Sequence, residues 1–289
     1  MKRVPPKTVK RKAKPRSTKK TLTPGKILRY SLALLVVSFL VAMAYNYRHG
    51  LLYYLGFKSN KRIEALGKKE ERKITDLRIY EIVSRHKDKV FGIDVSHYQG
   101  EIDWDSVHKG SNDFPLKFIF IRATAGKNSL DRRFKTNWQK AREYGFLCGA
   151  YHYYRPNENS VQQADNFIKN VTLKKGDLPP VLDIEQIPSK QSIDSLKSGL
   201  KRWLDKVERH YGMKPVIYSG ESFYTDFLRE EFKGYDLWIA NYSFFDDEIR
   251  PEWLFWQFTD RAVIKGIKGD VDVNIFNGSQ HQLKSRCKR

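Results

Sequence analysis

The chain has 289 residues, 40% of them hydrophobic and 13% aromatic, enough to bury a sizeable core and to line a cleft as well. Its net charge of +21 is unevenly placed: residues 1–29 hold twelve Lys or Arg and no acid, whereas residues 90–289 hold thirty basic and twenty-seven acidic residues. That near balance excludes a nucleic-acid groove across the main part of the chain, and the two cysteines, Cys148 and Cys287, give neither metal-ligand spacing nor a disulfide framework.

Residues 1–26 are rich in Lys, Arg, Pro and Thr, with no apolar period, and read as a disordered basic arm. Its charge suits anionic lipid heads, and no specific nucleic-acid partner is expected. Residues 27–47 are expected to form one transmembrane helix. The run YSLALLVVSFLVAMAYNY from Tyr30 to Tyr47 carries no charge. As a helix it spans about 27 Å, close to the roughly 30 Å hydrocarbon core of a bilayer. Tyr30, Tyr45 and Tyr47 stand where interfacial aromatics belong. The positive-inside rule puts the arm in the cytoplasm and the rest of the chain outside. Ala42-Met43-Ala44 resembles a cleavage site, so a cleaved secretory signal is the alternative. Residues 48–89 read as a polar juxtamembrane linker, partly helical, with Gly67 as an interruption.

The pattern changes over residues 90–289. Short apolar, β-branched or aromatic runs recur at Val90–Val95, Lys117–Arg122, Phe146–Tyr151, Pro180–Ile184, Pro215–Tyr218, Asp236–Ala240, Trp253–Phe258 and Val271–Phe276. Helical patterns separate the earlier runs. Phe134, Trp138 and Ala141 recur at helical spacing before Gly145. Ser160-Val161-Gln162-Gln163 has the form of a capping box, ahead of Ala164, Phe167, Ile168 and Val171. A long stripe runs from Ile193 to Tyr211 and ends at Gly212. Eight strands alternating with fewer than eight helices predict an α/β fold of the TIM-like β/α barrel type, with a doubly wound sheet as the alternative.

In such a barrel, functional side chains sit at the C-terminal ends of strands. Asp94, Asp183 with Glu185, and Asp272 stand out by that rule. Residues at i and i+2 share a strand face, so Asp183 and Glu185 project together, with Cα atoms about 6.6 Å apart. Two carboxylates held that close do not both ionise easily. A carboxyl that keeps its proton can protonate a leaving oxygen, as glycoside hydrolysis requires. Acids at barrel strand ends also hold Mg²⁺ or Mn²⁺, so spacing alone leaves a metal-dependent enzyme and a structural role open.

The stretches FGIDVSHYQG, FIFIRATAG, GAYHYYRP, PVLDIE, PVIYS, LWIANY, FWQFTD and VDVNIF occur in an order that resembles glycoside hydrolase family 25, the Chalaropsis-type lysozymes, over Val90 to Asn277. The resemblance implies a flattened β/α barrel and cleavage of the β-1,4 bond between N-acetylmuramic acid and N-acetylglucosamine in peptidoglycan, without metal or organic cofactor. It implies Glu185 as general acid/base and Asp183 as its partner, with Asp94 and Asp272 as further cleft acids. Tyr98, Tyr151, Tyr153, Tyr218 and Trp256 become candidates for a sugar platform, and Gln99, His152, Asn241 and Gln257 for polar contacts. The expected partners are peptidoglycan glycan strands and, through one helix, the bacterial cytoplasmic membrane. One departure is visible. The family pattern A-T-E-G reads Ala123-Thr124-Ala125-Gly126 here, so a carboxylate is missing beside the cleft. A wall-binding tether that does not cut is the alternative function.

Overall fold

The computed structural model describes residues 24–46, 68–110, 115–244 and 246–289. The basic arm up to residue 23 and linker residues 48–67 lie outside the described residues. The chain divides into two compact units, residues 1–54 and 55–289. The first holds α1 (Pro24–Asn46). Among the described residues no helix is long and apolar enough to cross a membrane.

The second unit begins, in its described part, with α2 (Lys68–Arg85), directly after Gly67. The linker helix is therefore present, but it is no free spacer. Ile82 is buried in the main core, with Ile79 and Val83 packed beside it. Arg78 donates through Nη1 to the Phe258 carbonyl at 2.6 Å and through Nη2 to the Ser243 carbonyl at 2.9 Å. Burial lowers its pKa to about 10. Arg72 reaches Asp270 at 2.9 Å, and Glu71 pairs with Arg261. A sparse apolar face reads as a spacer in sequence, yet a few long polar side chains fix the helix against the folded domain.

The elements then run β1 (Val90–Val95), α3 (Trp104–Gly110), β2 (Leu116–Ala125), β3 (Ser129–Leu130), α4 (Phe134–Glu143), β4 (Leu147–Tyr153), α5 (Ser160–Asn170), β5 (Val181–Asp183), α6 (Ile193–Tyr211) and β6 (Val216–Gly220). Next come α7 (Glu221–Phe223), a π turn at Tyr224–Leu228, α8 (Arg229–Phe232), β7 (Leu237–Ala240), β8 (Phe255–Ala262), β9 (Val271–Phe276) and α9 (Gln280–Ser285). All eight expected strands form. The small strand β3 hangs on the end of β2.

The strands pair in the order β1-β9-β8-β7-β6-β5-β4-β2, and β1 also pairs with β2. The ring is closed, which rules out the doubly wound sheet. Seven strands are parallel, whereas β9 runs antiparallel to both β8 and β1. Residues 263–270, which join β8 to β9, form no helix, as an antiparallel pair requires no crossover.

Strand alternation divides the core in two. Phe118, Phe120, Val181, Val216, Trp238, Phe255 and Phe276 fill the barrel interior. Their neighbours Ile119, Ile121, Leu182, Ile217, Ile239, Trp256 and Ile275 pack outward against the helices. Gly92 and Gly149 make room inside, since a Cβ on either would collide with the Phe118 or Phe120 ring. The α6 stripe buries Leu196, Leu200, Trp203, Leu204 and Val207, and Gly212 caps it with φ +67°. The start of α5 differs from the expected capping box. Asn159 is the cap, its Oδ1 accepting from the Val161 and Gln162 N–H groups at 3.0 Å. Gln163 is drawn inward instead, where it exchanges hydrogen bonds of 2.9 Å with the Arg155 backbone.

Candidate active site

The open end of the barrel holds a cleft of about 790 Å³, lined by Asp94, Asp183, Glu185 and Asp272 together. Each arrives by the period-two rule. Asp94 is the inward residue near the end of β1, and Asp183 ends β5, with Glu185 two residues on. Asp272 is the second residue of β9, the wrong end by the rule for parallel barrels. Because β9 runs backwards, Asp272 pairs directly with Asp94 at the cleft.

Asp94 is anchored from two strands. Its Oδ2 accepts from Gln257 Nε2 at 2.7 Å and from Asn274 Nδ2 at 2.8 Å. Gln257 Oε1 accepts in turn from Tyr218 at 2.8 Å and from the Tyr242 hydroxyl. Asn274 Oδ1 accepts from Trp238 Nε1 at 2.7 Å. Burial pushes Asp94 up to about 6 even so, because the two amide donors only partly offset lost hydration. Burial, reinforced by the Asp94 and Asp260 charges, pushes Asp272 up to about 9.

Asp183 and Glu185 behave as one unit. Burial raises both carboxyls above their usual range, and the Asp183 carboxyl donates to the Glu185 carboxylate. Asp183 Oδ1 is buried and has no hydrogen-bond partner among the described residues. A buried carboxyl oxygen without a donor is costly and marks a place where a ligand N–H or O–H fits. No group of three or more His, Cys, Asp or Glu among the described residues is arranged to hold a metal ion.

Of the expected sugar contacts, Tyr98, Gln99, Tyr151, Tyr153, Tyr218 and Gln257 line the cleft. Tyr98 is 78% exposed, and its ring rests on His97 with centroids 4.4 Å apart. Gln99 is partly spent locally, its Oε1 accepting from the Ser96 N–H at 2.8 Å. Three others lie elsewhere. His152 points out of the barrel between the inward Tyr151 and Tyr153, accepting from Thr124 at 2.7 Å and facing Gln163 Oε1 at 3.1 Å. Burial drives its pKa down to about 3, so it stays neutral. Trp256 also points outward, into the layer beneath the helices, and its Nε1 donates to the Asn241 carbonyl at 2.9 Å. Asn241 ties down its own loop, donating to Asp246 at 2.6 Å and accepting from the Ser243 N–H at 2.7 Å. Sequence reasoning missed Asn274, Tyr242, Asp260, Trp238 and the His97–Arg122–Asp131 group. Parity would have found Asn274, two residues beyond Asp272, and Arg122, two beyond Phe120.

The sequence pattern described as "Glycosyl hydrolases family 25" matches residues 93–267. The chain belongs to this family. It is similar to "Uncharacterized protein YegX" of Escherichia coli O157:H7, 43% identical, with 68% of this chain and 72% of that protein covered. It is also similar to "Lysozyme M1" of Streptomyces globisporus, 35% identical, covering 67% of this chain and 70% of the other. Among solved structures, the bacterial lysozyme from Streptomyces coelicolor matches with TM-score 0.62 and 32% identity, over 69% of this chain and 97% of that one. The family 25 glycosyl hydrolase from Bacillus anthracis matches with TM-score 0.61 and 29% identity, over 69% and 94%.

The raised acids carry a stability cost with a definite sign. A carboxyl whose folded pKa lies above its unfolded value stabilises the fold below about pH 3.8, and this contribution is lost as pH rises through the folded pKa. For Asp272 that window closes near 9. Asp272→Asn therefore gains thermal stability over the native chain at pH 8, and much less at pH 4. Melting curves between pH 4 and 9 check this; a gain independent of pH contradicts a raised pKa at the half-buried Asp272.

Proposed function

We propose that the chain is a lysozyme-type muramidase that cuts the β-1,4 bond between N-acetylmuramic acid and N-acetylglucosamine in peptidoglycan, with Glu185 as general acid/base. The observation that carries this is the Asp183–Glu185 pair at the mouth of β5, Asp183 buried and Glu185 open to the cleft, with Asp183 Oδ1 lacking any donor among the described residues. An acetamido N–H on the reacting sugar supplies the donor that this oxygen lacks. As it binds, the proton passes from Asp183 to Glu185, which then protonates the glycosidic oxygen while the C1–O bond breaks. Asp183, now ionised, holds the acetamido group so that its carbonyl oxygen reaches C1. Water then adds at C1 as the bond from C1 to the acetamido oxygen breaks, and water's proton passes to Glu185. The relatives' names support the substrate: "Lysozyme M1" and "N,O-diacetylmuramidase" of Arthroderma benhamiae, the latter 25% identical over 69% of this chain.

The same proposal includes the anchor. Leu32, Leu34, Leu35, Val36, Val37, Phe39, Leu40 and Val41 on α1 are all exposed, on every side of the helix. A helix that is apolar all round needs an apolar surrounding. In sequence, the run 27–47, taken as helical throughout, would be about 31 Å long, the thickness of a bilayer's hydrocarbon core. We place the basic arm in the cytoplasm, where it meets anionic lipid heads, and the barrel on the outer side of the bacterial cytoplasmic membrane.

Glu185→Gln is expected to lower the release of reducing sugar from cell walls by about 10²–10⁴-fold, with the melting temperature retained. Activity within a few-fold of the native chain refutes the role given to Glu185. In membrane fractions, the full chain is expected to resist alkaline extraction and to leave the barrel open to added protease only from the outer side. Recovery as a soluble protein beginning near Tyr45 contradicts the anchor.

A further inference from the structure

We propose that the β2–β3–β4 side of the cleft binds a carboxylate carried on the lactyl group of the muramyl sugar, either the lactyl carboxylate itself or the acidic peptide attached through it. This inference rests on the muramidase function proposed above and names the part of the substrate that this wall reads.

The cleft has two poles. Its carboxyls come from β1, β5, β8 and β9, whereas Arg122, Arg132 and Arg155 line it from β2, the turn after β3 and the end of β4. Asp131, the acid among these cations, is saturated. Its Oδ1 accepts from the Arg133 N–H at 2.9 Å, and its Oδ2 from the His97 N–H and Arg122 Nε, each at 3.0 Å. The Asp131 side chain is 1% exposed, so it offers nothing to a ligand. Arg122 is stacked over the Tyr98 ring, 4.8 Å from its centroid, which aims the guanidinium along the expected sugar platform.

Arg155 gives Nη1 to Glu158 at 3.3 Å, and Glu158 also accepts from the Lys127 N–H at 2.6 Å. Arg132 is exposed and makes no ion pair among the described residues. Three guanidiniums therefore face two carboxylates that are already engaged. Ala125 lines the cleft in this arc, beside Ser129 on β3 and Tyr153 on β4, and brings no charge where the family pattern carries a glutamate. The wall is left with unspent guanidinium donors, which suit a carboxylate in planar, two-point contact. N-acetylated sugars are neutral. The lactyl group and what it carries are the anionic features of such a strand.

The test measures kcat and KM of the full chain on peptidoglycan in four forms: with peptide stems and after an amidase has removed them, each with carboxyls free or converted to methyl esters. Free-carboxyl walls are expected to show the lower KM. Ala125→Glu and Arg132→Glu are each expected to shrink that preference about fivefold, the fold-change a partly exposed ion pair supports, mainly through KM. Raised salt shrinks it too. A preference seen only with the stems present assigns the carboxylate to the peptide; one seen only after their removal, which frees the lactyl carboxyl, assigns it to the lactyl group; one seen in both forms shows that either carboxylate fills the site. Equal KM for free and esterified walls overturns the proposal and leaves the muramidase function standing. A preference that both folded variants leave unmoved also overturns it. Cleavage of none of the four forms overturns both.

Discussion

The cleft is organised around the hydrogen bonds that hold Asp94. Its Oδ2 receives an amide from β8 and another from β9, through Gln257 and Asn274. Those amides are fixed in turn by hydroxyl and indole donors from β6, the loop after β7, and β7 itself. One carboxylate thus ties neighbouring strands together at the open end of the ring. The arrangement depends on β9 running antiparallel, because only that direction brings Asp272 opposite Asp94. Two acids are then pressed together where burial costs them hydration, and their pKa values rise. Protons stay on carboxyls near neutral pH, and proton transfer to a leaving oxygen needs a carboxyl in that state.

Much of the ring was legible in the sequence, because buried parallel strands read as short apolar runs. β1 and β9 begin and end where their runs do. The direction of β9 was not legible, since a run of residues carries no sign of orientation. The short helix-free stretch before it was the available hint. In the site, period-two alternation brought Asp183 and Glu185 to one face in the sequence and in the fold alike. The same rule, carried along β4 and β8, separates Tyr151 and Tyr153 from His152, and Gln257 from Trp256. Aromatic or polar character alone does not tell a cleft residue from its outward neighbour. Parity does. Asn241 lies just past β7, where parity no longer holds, and its amide is taken up by its own loop. The packing of α2 was hidden for another reason. Ile79, Ile82 and Val83 give only a short apolar stripe, and Arg78 adds hydrogen bonds to carbonyls that no periodicity reports.

The cleft also divides by charge. Acids from four strands gather on one side of the cleft, and guanidiniums on the β2–β4 arc. A neutral polysaccharide has no use for the second pole. A strand with an acidic substituent on every other sugar does, and the muramyl sugar of peptidoglycan is such a unit. The polarity of the cleft is thus consistent with the polymer to which the Asp183–Glu185 pair and the family point.

The most direct measurement is the identity of the new chain end. Purified peptidoglycan is digested with the chain, the products are reduced, and the reducing-end sugar is identified by mass. The account predicts reduced N-acetylmuramic acid at that end, absent when Glu185→Gln is used. Reduced N-acetylglucosamine, or peptide release with the glycan intact, would contradict it.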